Sequence, residues 1–117
     1  MGKVLGAGGG KGTSMKMTLN EIQECVGRGW SKLLEDLYND LLALGWDGKV
    51  LQVKEKFGGL RFYIDNWADP LYNRICEAEE ESFRTCERCG EAGQVRSHKG
   101  WLTTSCQKCW NELHLVK

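Results

Sequence analysis

Two Cys-x-x-Cys pairs constrain this chain more than any other feature. Cys86 and Cys89 make the first, in "CERCG"; Cys106 and Cys109 make the second, in "CQKC", after sixteen intervening residues. Two thiolates on one tight turn reach a common ion, and a second such turn completes the tetrahedron of soft ligands that zinc favours. Gly90, directly after the second cysteine, allows the unusual backbone that turns amides toward sulfur. Four protein ligands leave no open coordination position, so one structural zinc ion per chain is predicted, held by Cys86, Cys89, Cys106 and Cys109. Structural zinc contributes about 10–16 kcal/mol of apparent binding energy, so a ribbon spanning residues 86–117 is expected to depend on it for folding. The competing reading is two redox-active pairs, which would want a thioredoxin-like βαβ surround that the sequence lacks. His98 and His114 sit at no ligand-like offset and read as ordinary polar residues. Cys25 and Cys76, unpaired in sequence, read as small buried hydrophobes.

The rest of the chain fits one modest core. With 117 residues, 41% hydrophobic and 27% charged, it falls in the ordinary globular range. Sixteen basic residues balance sixteen acidic ones, so net charge gives no argument for a large phosphate footprint or a membrane surface. The distribution is uneven, however, and residues 49–65 and 86–117 are locally basic. No run of about 18 apolar residues and no secretory h-region is present, which predicts a cytoplasmic protein. The glycine-rich opening, residues 1–17, predicts a flexible tail. Its "GGGKG" misses the phosphate-loop pattern, because Lys11 is followed by Gly12 and not by Ser or Thr.

Residues 18–85 read as an α+β core, a small helical bundle packed on a β-hairpin. Thr18 and Glu21 form a capping box, opening a helix that runs through Ile22 and Val26 to "GRG" at 27–29. Ser31 is the expected cap of a second helix. There Leu33, Leu34, Leu37, Tyr38, Leu41 and Leu42 recur at spacings of three and four, and Gly45 marks its end. From 49 to 65 the period becomes two. Leu51 and Val53 on one run, and Leu60, Phe62 and Ile64 on the other, predict the buried face of a hairpin. Asp69 and Pro70 announce a third helix, with Leu71, Ile75, Ala78 and Ser82 inward and Glu77, Glu79, Glu80 and Glu81 on a solvated flank.

The hairpin's opposite parity is the candidate binding surface. Gln52 and Lys54 on one strand, and Arg61 and Tyr63 on the other, share the outer face, with Lys56 at the turn. Cations beside a phenol ring suit a phosphate and a stacked base, and Gly58 and Gly59 would admit a ligand close to the backbone. The bland alternative is a solvent face whose lysines protect an edge strand. Arg88, Arg96, Lys99 and Trp101 form a second candidate surface on the ribbon. Five tryptophans, Trp30, Trp46, Trp67, Trp101 and Trp110, exceed what a small core requires, so one or two are candidates for a protein-partner or homo-oligomer anchor. No set of acid, base and nucleophile is apparent, so a non-enzymatic protein is expected.

The order "GW" at 29–30, a leucine-rich helix, "QVKEKFGGLRFY" from Gln52 to Tyr63, "CERCG", "GWLTTSC" from Gly100 to Cys106 and a last Cys-x-x-Cys resembles a family of small zinc-ribbon proteins of bacteriophages and prophages. The resemblance spans about residues 29–110, and the hairpin is its most specific part. It implies a phage accessory protein in the host bacterial cytoplasm, with no catalytic residue to carry over. The expected function is therefore the binding of a phosphate-bearing ligand, a nucleotide or short nucleic acid, through Lys54, Lys56, Arg61, Tyr63 and Trp101. The alternative is inhibition of a host protein through exposed aromatics.

Overall fold

A computed structural model describes residues 14–66 and 68–113. Residues 1–13 of the predicted tail (1–17), Trp67 and His114 lie outside these residues. Among the described residues the chain is α+β, with four α-helices and three two-stranded antiparallel sheets.

The helices begin and end where local chemistry satisfies their free backbone groups. In α1 (Leu19–Gln23) the Thr18 side chain accepts from the Glu21 amide while Glu21 accepts from the Thr18 amide, so the capping box is complete. A 3-10 turn (Arg28–Trp30) then runs directly into α2 (Ser31–Ala43). Ser31 makes no capping bond. Its expected role is taken by the 3-10 turn, whose Gly27 carbonyl accepts from the Trp30 amide and whose Arg28 carbonyl accepts from Ser31. At the other end Gly45, at φ 100°, lets its own amide reach Leu42 and that of Trp46 reach Leu41, the paired bonds of a Schellman motif. Leu33, Leu34, Leu37 and Leu41 are buried as the stripe requires, but Leu42 is exposed.

The expected first run of the hairpin is two strands. Lys49–Val50 (β2) pairs with Met15–Lys16 (β1), and Gln52–Lys56 (β3) pairs with Gly59–Tyr63 (β4). A bend at Leu51 separates them and shifts the parity by one, so Val50 and Val53 are both buried while Leu51 is only half-buried. Met15 and Lys16 therefore belong to the fold and not to a tail, and Met17 packs partly against the core.

Helix α3 (Asp69–Ser82) buries Leu71, Ile75, Ala78 and Ser82, the inward line its spacing predicts. Asp69 is the first helical residue and Ala68 stands at the cap, a shift of one position. The helix lies against α2 and β4. There the Ser82 hydroxyl accepts from the Leu60 amide at 2.9 Å, and the Glu79 carboxylate accepts from the Phe62 amide at 3.0 Å. Glu79 thus closes the free edge of β4 instead of standing on a solvated flank.

The C-terminal part is a third hairpin, β5 (Gln94–His98) with β6 (Trp101–Ser105), followed by α4 (Gln107–Leu113). Its joint with the core is close. A Cβ on Gly29 would lie 2.1 Å from the Cys86 carbonyl oxygen, and one on Gly27 2.4 Å from that of Glu87. Such distances leave room only for glycine. The Gly29 amide donates to the Glu87 carbonyl at 2.9 Å, and the Trp30 indole donates to the Thr85 carbonyl at 2.8 Å.

Candidate metal centre and the outer hairpin face

Two different turns present the four cysteines. Around the first pair, the Cys86 amide donates to the Glu91 carbonyl at 2.7 Å and the Gly90 amide to the Cys86 carbonyl at 2.9 Å. Gly90 holds φ 86°, the left-handed position expected of it. The second pair opens α4. The Cys106 sulfur accepts from the Cys109 amide at 3.4 Å, standing where an N-cap oxygen stands in other helices.

The four sulfurs all lie within 4.8 Å of one another, and those of Cys89 and Cys106 are 3.7 Å apart. Sulfurs about 2.3 Å from a tetrahedral ion would be separated by about 3.8 Å. The donor set therefore fits a metal ion. Burial pushes the Cys86 thiol up, but the backbone amides of Cys106, Cys89 and Arg88 together outweigh it and bring the thiol down to about 6. Burial, with the neighbouring thiols of Cys106, Cys89 and Cys86, pushes Cys109 up to about 12. One thiol easily ionised beside another that resists it is the behaviour of four sulfurs too close to be anionic together without a cation.

His98 is not part of this cluster. It lies exposed on β5, its ring 6.3 Å from that of Trp110. Cys25 and Cys76 are not buried as expected. Cys25 is exposed past the end of α1, its sulfur 3.4 Å from the Glu21 carbonyl oxygen, and Cys76 is half-buried on α3. A depression of about 780 Å³ beside the cysteines is lined by Arg28, Arg88 and Lys108 and by Glu87, Glu91 and Glu112. Cations and carboxylates balance there, so it favours neither sign of ligand.

The outer hairpin face has a definite register. Lys54 stands directly opposite Arg61 and Gln52 opposite Tyr63, with Lys56 opposite Gly59 next to the turn. Lys54 and Arg61 are half-buried, and neither makes an ion pair among the described residues. The Arg61 Nε is buried and has no hydrogen-bond partner among them. Like charges facing across a sheet cost roughly 0.2–1 kcal/mol, and a buried unpaired donor costs about 1–3 kcal/mol more. Tyr63, 38% exposed, completes the face.

The glycines at the turn admit the protein's own C-terminal part. A Cβ on Gly58 would lie 3.3–3.4 Å from the backbone of Thr103, and one on Gly59 would overlap the Phe83 ring at 2.3 Å. The Thr104 hydroxyl donates to the Gly58 carbonyl at 2.6 Å. The approach expected of a ligand is thus made by β6 and Phe83.

On the second candidate surface, Arg96 is held by the Ser105 carbonyl at 2.9 Å and lies over the Trp110 ring, while Arg88 reaches the Cys109 carbonyl at 3.4 Å. Lys99 and Trp101 remain at the hairpin tip, and Trp101 is 77% exposed. Trp30 and Trp46 are buried, with their indoles bonded to the Thr85 and Lys49 carbonyls. The residue sequence reasoning overlooked is Phe57, 63% exposed at the tip of the β3–β4 turn. The signal for it was Phe-Gly at a position where a tight hairpin favours Asn-Gly.

Compared with models of protein families, with curated proteins and with solved structures, the chain matches none. What fold and site define is an α+β protein with a four-cysteine cluster able to hold a metal ion. Among the described residues no helix is long and apolar enough to cross a membrane.

Proposed function

We propose that this is a non-enzymatic binding protein, stabilised by one zinc ion in a C-terminal ribbon, that grips a phosphate-bearing ligand on the outer face of its β3–β4 hairpin. The observation that carries this reading is the Lys54–Arg61 pair: two opposed cations that, among the described residues, have no counter-anion, one with its Nε buried and unpartnered among them. A phosphate would relieve the repulsion, accepting from the guanidinium in a charge-assisted geometry. Lys56 adds a third cation, and Tyr63 offers a ring for a base. Zinc is the metal of choice because four thiolates in a tetrahedron suit it, and a full ligand set confines it to holding the ribbon together.

Following the resemblance of the "QVKEKFGGLRFY" hairpin and the paired cysteines, the setting is a phage accessory factor in the bacterial cytoplasm. A second reading, inhibition of a host protein, draws support from the exposed ring of Trp101.

Isothermal titration with a nucleoside triphosphate and with a short oligonucleotide tests the first reading. Arg61→Glu is expected to abolish binding while leaving zinc content at one per chain by elemental analysis. Unchanged affinity in that variant would remove the hairpin face from consideration. Folded protein holding far less than one zinc per chain would remove the ribbon.

A further inference from the structure

The tip of the β3–β4 hairpin carries a backbone choice that the core does not explain. Phe57 and Gly58 both hold positive φ, 55° and 85°, the pair of a type I′ turn. Gly58 is needed there, because β6 passes against it. Phe57 is not. Asn and Gly are favoured at that position, and a bulky aromatic in left-handed backbone is strained. Burial does not offset that strain, since the ring is 63% exposed. Lys56 holds its ammonium 5.4 Å from the ring centroid.

The β5–β6 tip has the same turn, with Lys99 at φ 54° and Gly100 at φ 82°, and presents Trp101 immediately after it. The two tips are close. The contact of Gly58 with Thr103, and consecutive Cα atoms spaced by about 3.8 Å, put the backbones of Phe57 and Trp101 within about 16 Å of one another. Lys56 flanks one ring in sequence and Lys99 lies two residues before the other. The nearby carboxylates are engaged inside the joint: Glu55 accepts from the Gly58 amide, and Glu87 from the Thr103 hydroxyl.

We infer that Phe57 and Trp101 are stacking platforms for two bases of one strand, so that the ligand is single-stranded nucleic acid and not a free mononucleotide. This rests on the hairpin-face reading above, which supplies the phosphate contacts at Lys54, Lys56 and Arg61. Exposed rings interleaved with cations are how single strands are bound without sequence preference, because every base has a flat face. A protein partner would explain the rings but would leave Lys54 opposite Arg61 without a role.

The test is fluorescence anisotropy with a labelled oligothymidylate of about 12 nucleotides, within the roughly 4–16 that a single-strand module occupies. A fluorescent mononucleotide is titrated in parallel, against full-length wild type, Arg61→Glu, Phe57→Asn and Trp101→Ala. Phe57→Asn removes the ring but keeps a residue that suits the turn, so its fold is protected. Phe57→Tyr and Trp101→Phe retain a ring. Wild type is expected to bind the oligonucleotide more tightly than the mononucleotide. Phe57→Asn and Trp101→Ala are each expected to weaken oligonucleotide binding roughly 5- to 150-fold, with the ring-retaining variants restoring most of it. Oligonucleotide affinity within twofold of wild type in both ring-removing variants, with Arg61→Glu still defective toward either probe, overturns this inference and leaves the hairpin-face reading standing. Indifference of both probes to Arg61→Glu, or no binding of either by wild type, overturns both.

Discussion

From Thr18 to Ser82 the fully buried side chains, the Ser82 hydroxyl apart, are Ile22, Trp30, Leu37, Leu41 and their apolar neighbours; between Cys86 and Cys109 they are thiols and hydroxyls, Cys86, Thr104 and Ser105 among them. The apolar cluster ends at Ala78 and includes no residue of the C-terminal part. The first region is held by area removed from water, at about 25 cal/mol per Å². The second has little such area. Its buried hydroxyls bond to the Gly58 and Cys106 carbonyls and to the Glu87 carboxylate. What remains to hold it is the cysteine cluster. A short segment can therefore be rigid without a core, provided that its ligands converge and its polar groups are satisfied.

Depriving the cysteine cluster of an ion is expected to separate the two regions most sharply. If the proposed zinc contributes the roughly 10–16 kcal/mol typical of structural sites, Cys86→Ser or chelation unfolds residues 94–113, while the α2 helix keeps its amide protection. Hydrogen exchange followed by mass spectrometry reads both at once, and persistent protection at 94–105 in the stripped protein would break the comparison. The converse change is Leu37→Ala. It is expected to cost about 2–5 kcal/mol in urea unfolding, a loss confined to the apolar region and leaving bound metal unchanged until that region melts. Gly29→Ala acts on the joint, where its Cβ would meet the Cys86 carbonyl oxygen. A cost of about 1–3 kcal/mol is expected, together with weaker metal retention against a chromophoric chelator; destabilisation with unaltered retention would show the regions to be independent.

Two smaller effects sharpen the picture. Thr18→Ala removes the bond that the Thr18 side chain accepts from the Glu21 amide and is expected to lower stability by about 1 kcal/mol without altering metal content. Glu87, half-buried beside the Thr103 hydroxyl, is pushed above its ordinary value of 4.5 by burial and, to a smaller extent, by the charge of Glu55, which together outweigh the lowering by the Thr103 bond. Its neutral form is thus favoured on folding. The stability this adds is fully present below the unfolded value and declines as pH rises through the folded one. Glu87→Gln should flatten that decline in a thermal-melting series from pH 4 upward, and an unaltered slope would assign it to another group.

Features set by neighbours in sequence were legible. The capping box, the leucine stripe, the glycine stop at Gly45 and the inward line of α3 each depend on residues within a few positions, and the cysteine spacing encodes two turns. The register of the hairpin followed from alternation, which fixes Lys54, Arg61 and Tyr63 to one face. What alternation does not reveal is the bend at Leu51, because that strand changes partner from β1 to β4 between Val50 and Gln52. Nor could sequence show that Gly27, Gly29, Gly58 and Gly59 serve contacts with the C-terminal part. Their flexibility is visible in the sequence, but what presses on them is not: backbone more than forty positions away for Gly27, Gly29 and Gly58, and the Phe83 ring for Gly59. Phe57 was overlooked for a related reason: apolar residues are expected inside, and only its exposure shows that this one is not.

The bond from the Trp30 indole to the Thr85 carbonyl spans 55 residues and sets an order of events during synthesis. At roughly 5–20 residues per second, Trp30 is synthesised about 3–11 seconds before its acceptor. Until Thr85 follows, that N–H has only water or another transient acceptor. The four clustered cysteines all come after Thr85 in the chain, so any ion they hold can be fully enclosed only once this acceptor has been made.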